Sequence, residues 1–97
     1  MRIVVGLLTI TVLTCTGVCA AMAQEKPVQL KQAPGLDTVQ ANCGLCHSLD
    51  YIQMNSPFLN QAGWTAEVNK MIKALGAPVS DADAKTIIDY LTKNYGT

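Results

Sequence analysis

Five consecutive residues concentrate the reactive side chains of this chain: Cys43-Gly44-Leu45-Cys46-His47. Thiols three positions apart sit about one helical turn from each other, so each can add to a vinyl group of one porphyrin while the next residue offers an imidazole to its iron. Order and spacing both follow from the size of the macrocycle. One haem c, bound covalently through Cys43 and Cys46 and ligated by His47, is the chemistry this run predicts. Two other chemistries use the same residue types. A redox disulfide of the thioredoxin kind expects a preceding strand in a βαβ setting, and neither is legible before Cys43. A zinc site needs four ligands, whereas His47 is the only histidine and the two remaining cysteines, Cys15 and Cys19, lie in an N-terminal apolar run.

The second axial position on the iron decides what such a haem does. Beyond residue 23 the only methionines are Met54 and Met71, and Met/His ligation belongs to electron-transfer cytochromes of raised potential. Met54 follows His47 by seven residues, about 23 Å of fully extended chain, which would have to pass round the haem edge. Met71 is far enough along the chain to meet the distal face, with Trp64, Val68 and Leu75 beside it. Met71 is the expected ligand, with Met54 or an open site as the alternatives.

The elements that hold these residues follow from periodicity. A positive start at Arg2, an apolar run from Ile3 to Ala20 and the small-x-small triplet Ala21-Met22-Ala23 predict a cleaved signal peptide over residues 1–23. The run approaches membrane-spanning length, but the Ala-x-Ala site and the polar Gln24-Glu25-Lys26-Pro27 favour release. Thr14 and Val18 precede Cys15 and Cys19 where a lipoprotein signal wants Gly, Ala or Ser. Residues 24–34, with two prolines and no period, predict an extended arm. The domain proper is expected over residues 35–97. Its first helix reads from Gly35 to Ser48, with Leu36, Val39, Gln40, Cys43 and His47 at helical spacing. A loop from Leu49 to Gly63 contains Pro57, which biases Ser56 away from helical geometry. A second helix begins at Trp64, carries Val68, Met71, Ile72 and Leu75 on one face, and ends at Gly76 and Pro78. Ser80 caps a third, with Asp81 and Asp83 in its first turn and a stripe of Ala84, Ile87, Ile88, Leu91 and Tyr95. The fold class is all-α.

Composition narrows the partners. The formal net charge of the whole chain is zero, and no basic stripe or polybasic patch exists to hold nucleic acid or a membrane surface. After cleavage the chain falls in the range, below about 70–80 residues, where a core alone stabilises weakly and a covalent or metal staple is usual. Only Cys43 and Cys46 remain to build one.

From Cys43 to Gly96 the chain resembles the small monohaem cytochrome c subunit of bacterial periplasmic sulfite dehydrogenases, a branch of the class I cytochrome c superfamily. The likeness rests on Cys43-Gly44-Leu45-Cys46-His47-Ser48-Leu49-Asp50-Tyr51-Ile52 and Met54-Asn55-Ser56-Pro57-Phe58. It continues in Trp64 with Val68 and Met71, in Gly76-Ala77-Pro78, and in Tyr90-Leu91 with Tyr95-Gly96. The resemblance implies a minimal class I cytochrome c fold of three to four short helices around one haem, located in the periplasm. It implies that the Pro57 carbonyl accepts the Nδ1 proton of His47, and that Tyr51, Phe58 and Trp64 wall the haem pocket. It implies a heterodimer with a molybdopterin-containing catalytic subunit that oxidises sulfite, electrons passing through this chain to a soluble cytochrome c. The chain itself would break no substrate bond. A free-standing periplasmic electron shuttle and a haem with an open distal site are the alternative roles.

Overall fold

The computed structural model describes residues 26–97; the predicted signal peptide, 1–23, lies outside them. Four helices follow in order: α1 (Leu36–Cys43), α2 (Asp50–Asn55), α3 (Gln61–Lys73) and α4 (Asp81–Tyr95). No strand occurs among the described residues, and the fold is all-α. No helix among them is long and apolar enough to cross a membrane.

Helix α4 organises the rest, packing against α1, α2 and α3. Its N-terminus is fixed as expected. The Ser80 hydroxyl accepts the Asp83 amide at 3.1 Å, and Asp81 and Asp83 lie against the positive end of the helix. Its buried stripe is Ile87, Tyr90, Leu91 and Tyr95. Against it lie Trp64 and Val68 of α3, Leu36 and Val39 of α1, and Ile52 of α2.

Helix α1 enters through Gly35, whose φ of 97° suits a residue without Cβ. A Cβ there would also approach Tyr90 Cβ to 3.1 Å and Thr86 Cγ2 to 3.3 Å, so the residue lets α1 cross α4 closely. The helix stops at Cys43, five residues short of the Ser48 expected from spacing. Gly44 weakens it, and Leu45, Cys46 and His47 are all exposed, so no core contact rewards a further turn. Cys46 and His47 therefore sit in turns rather than on a helix.

The expected loop from Leu49 to Gly63 is instead interrupted by α2. Ile52 anchors it, 4% exposed, and the Asn55 side-chain amide donates to the Tyr51 carbonyl at 2.8 Å. Ser56 adopts φ −48°, ψ −42°, right-handed helical geometry despite the following Pro57. Its amide bonds the Ile52 carbonyl at 3.0 Å, a local contact that outweighs the steric bias from the proline. Helix α3 starts before Trp64 because the Asn60 side chain caps it, accepting the Gly63 amide at 3.0 Å. It ends at Lys73, with Gly76 at φ 72° turning the chain away.

Residues 26–35, before α1, form no helix or strand, and they are not separate from the domain. Leu30 is 4% exposed and belongs to the core. The Lys31 amide donates to the Tyr95 hydroxyl at 2.9 Å, the Tyr90 hydroxyl donates to the Lys31 carbonyl at 2.6 Å, and Gln53 Nε2 donates to the Gln29 carbonyl at 3.0 Å.

Burial holds the Tyr90 phenol protonated, its pKa pushed up to about 12 from an ordinary 10.0. The proton is held more tightly folded than unfolded, so this contribution is complete below pH 10 and disappears as pH rises towards 12. We expect loss of helical circular dichroism within that window. In Tyr90→Phe, which retains the ring but carries no titrating hydroxyl, the loss should shift to higher pH.

Candidate functional site

All four helices contribute to one apolar cleft. The end of α1 and the turns after it supply Asn42, Cys43, Cys46 and His47, while α2 supplies Tyr51 and Ile52. From α3 come Trp64, Glu67, Val68, Met71 and Ile72; the segment from Leu75 to Val79 closes one side, and Ile87 and Leu91 of α4 form the floor. The cleft holds about 180 Å³ of enclosed space, less than the roughly 300–1,000 Å³ of closed ligand pockets, and it opens to solvent on one side.

Five of the six residues expected to bind the cofactor meet here: Cys43, Cys46, His47, Trp64 and Met71. Pro57 does not. It lies in the turn beyond α2, exposed and away from the cleft, because α2 takes up the chain that would have brought it back to the motif. The His47 Nδ1 instead lies 2.9 Å from the Ser48 carbonyl. A carbonyl only accepts, so this nitrogen donates, an arrangement that in a neutral imidazole places the lone pair on Nε2. Phe58, expected as a pocket wall, is 79% exposed and outside the cleft. Tyr51 does line it, its ring 5.9 Å from that of His47. Between the two methionines the geometry discriminates clearly: Met71 faces the cleft, whereas Met54 is 67% exposed on α2 and does not line it.

Trp64 is held on two sides. Its ring is 2% exposed, and its Nε1 donates to the Tyr95 carbonyl at 3.0 Å, so α3 and the end of α4 fix the wall together. Cys43 and Cys46 are both free thiols. Burial pushes the Cys43 thiol above its ordinary pKa, while Cys46 is exposed at the mouth.

Periodicity had marked Val68, Met71, Ile72 and Leu75 as one face, and that face is the cleft wall. Glu67 escaped notice because it is polar, although it precedes Met71 by one helical turn on the same face. Its Oε2 accepts the Tyr51 hydroxyl at 3.1 Å and lies 2.8 Å from Lys70 Nζ. The Lys70 ammonium holds the Glu67 carboxyl below its usual range against the opposing effect of partial burial. Burial and then Glu67 itself raise the Tyr51 phenol.

The donor set bears on which group fits. Among the described residues no three His, Cys, Asp or Glu side chains gather to hold a metal ion, so a protein-only zinc shell of those residues has no basis there. A haem makes smaller demands, since the porphyrin supplies four nitrogens. Two free thiols, one imidazole with its outer nitrogen available, one thioether and apolar walls fit that group. Comparison of the chain with known protein families and with curated proteins found no match in either.

Proposed function

We propose that this chain is a periplasmic electron-transfer c-type cytochrome of class I type, the haem subunit of a sulfite dehydrogenase. In this reading Cys43 and Cys46 would hold one haem c by thioethers, His47 and Met71 would ligate its iron, and Trp64 would wall the site. The observation that carries the reading is that Cys43, Cys46 and His47, at and just beyond the end of α1, line the same apolar cleft as Met71 of α3. When bound, the haem supplies a one-electron couple. The apolar walls of the cleft would hold it, and the Ser48 carbonyl, 2.9 Å from His47 Nδ1, would orient that ring.

With His47 and the two thiols committed to the haem, the titratable side chains that remain in the cleft are Glu67 and Tyr51, which bond each other. His47 is the chain's only histidine, and both cleft thiols are consumed by attachment. On the resemblance, sulfite is oxidised by a molybdopterin-containing partner, and this chain relays electrons one at a time to a soluble cytochrome c. The sulfite donor rests on the resemblance over Cys43–Gly96. A molybdenum protein co-purifying under mild conditions supports it; a cytochrome always recovered alone would favour the free shuttle instead.

Ligation by Met71 has a direct test. Met71→Ala is expected to lower the midpoint potential, by part of the roughly 0.8 V over which axial ligands move haem proteins, and to let carbon monoxide bind the reduced protein rapidly. Met54→Ala should leave both unchanged. The reverse pattern would assign the ligand to Met54.

A further inference from the structure

Among the described residues that line the cleft, Glu67 is the only carboxylate. Its side chain is 23% exposed, partly withdrawn from water on a helix face otherwise made of Trp64, Val68, Met71 and Ile72. Removing a charge from water is unfavourable unless it is paired and hydrogen-bonded. Here both conditions hold: Lys70 Nζ lies 2.8 Å from Oε2 and the Tyr51 hydroxyl donates to the same oxygen at 3.1 Å. The pair is asymmetric. Glu67 lines the cleft, whereas Lys70 is not among its lining residues and its side chain is 50% exposed. A group seated in the cleft is thus presented with the anionic member of the pair, and solvent screens the cationic member more strongly.

We propose that Glu67 sets the electron affinity of the cofactor in this cleft, with Lys70 as a partial counterweight and Tyr51 as the residue that fixes the carboxylate. The inference rests on the haem reading above. An oxidised haem iron carries one more positive charge than a reduced one, and the couple transfers a single electron from the donor subunit without forming or breaking a bond. A carboxylate at the wall favours the oxidised form, and an ammonium favours the reduced form. The chain therefore carries two opposed charges whose separate removal must move the potential in opposite directions.

The test is spectroelectrochemical titration at pH 7 of the haem-loaded full chain as wild type, Glu67→Gln, Lys70→Met and the double variant. Glu67→Gln retains shape and hydrogen-bonding capacity. It is expected to shift the reduced-to-oxidised ratio at fixed electrode potential about tenfold towards reduced, which for one electron is about 59 mV upward. Lys70→Met should shift it the other way by a smaller factor, and the double variant should fall between the two. Shifts of the same sign in both single variants would indicate a disturbed cleft and overturn the assignment. Fully loaded Glu67→Gln protein with an unmoved potential would overturn it while leaving the haem reading intact. Wild-type protein purified without covalent haem would overturn both.

Discussion

Chains carrying Cys43→Ala together with Cys46→Ala are expected to contain no haem that survives denaturing electrophoresis, and to show largely unfolded circular dichroism. The first effect follows from the two free thiols at the cleft, the only cysteines beyond the predicted signal. The second follows from the cleft itself. Leu75 on its wall is 69% exposed and Met71 and Ile72 are half-buried, and without a cofactor against them these side chains are left to water. Each apolar side chain so exposed forfeits about 1.5–3 kcal/mol of burial, within a domain whose whole stability is on the order of 5–15 kcal/mol. The single variants separate the two effects. Either one retains one thiol, so a residual covalent haem with a weakened fold is expected from each. A well-folded double variant would show that the four-helix core stands without the staple.

Trp64→Ala should be nearly as severe, and by a route independent of attachment. The ring is 2% exposed in the centre of the core, and truncation of a buried Trp removes about 3–5 kcal/mol of stability. It also deprives the Tyr95 carbonyl of its 3.0 Å partner, a loss of about 1–3 kcal/mol where no water replaces it. Thermal denaturation should show a strongly lowered midpoint, or no cooperative transition. Trp64→Phe retains an aromatic ring and loses the hydrogen bond, so it should fall between alanine and wild type. Equal midpoints for Trp64→Phe and wild type would show that the bond to Tyr95 contributes nothing.

The parts of this fold that could be read in advance are those with long, repeated signals. Helices α3 and α4 run for 13 and 15 residues, long enough for a 3.6-residue period to repeat several times, and Ser80 announces the start of α4. Helix α2 was illegible because its six residues bury a single side chain, Ile52, which establishes no period. The end of α1 was misread for a related reason. Cys43 and His47 have helical spacing, but spacing does not reveal whether a core exists to pack against, and Leu45 is in fact 70% exposed. The site divides in the same way. Met71 could be preferred to Met54 because it belongs to a long apolar face. Pro57 could not be placed because its position depends on whether the preceding residues coil into a helix, and Glu67 was hidden by a polar side chain on an apolar wall.

The pinning of Lys31 between two tyrosines bears on how the domain forms. Its partners Tyr95 and Tyr90 lie 64 and 59 residues further along the chain. Contacts that close so long a loop are entropically late, and they raise the contact order of a protein whose helices would otherwise assemble quickly. During synthesis Leu30 and Lys31 emerge long before α4 exists to receive them. The chain must therefore remain open until α4 has been made, and the segment that appears early is locked among the last.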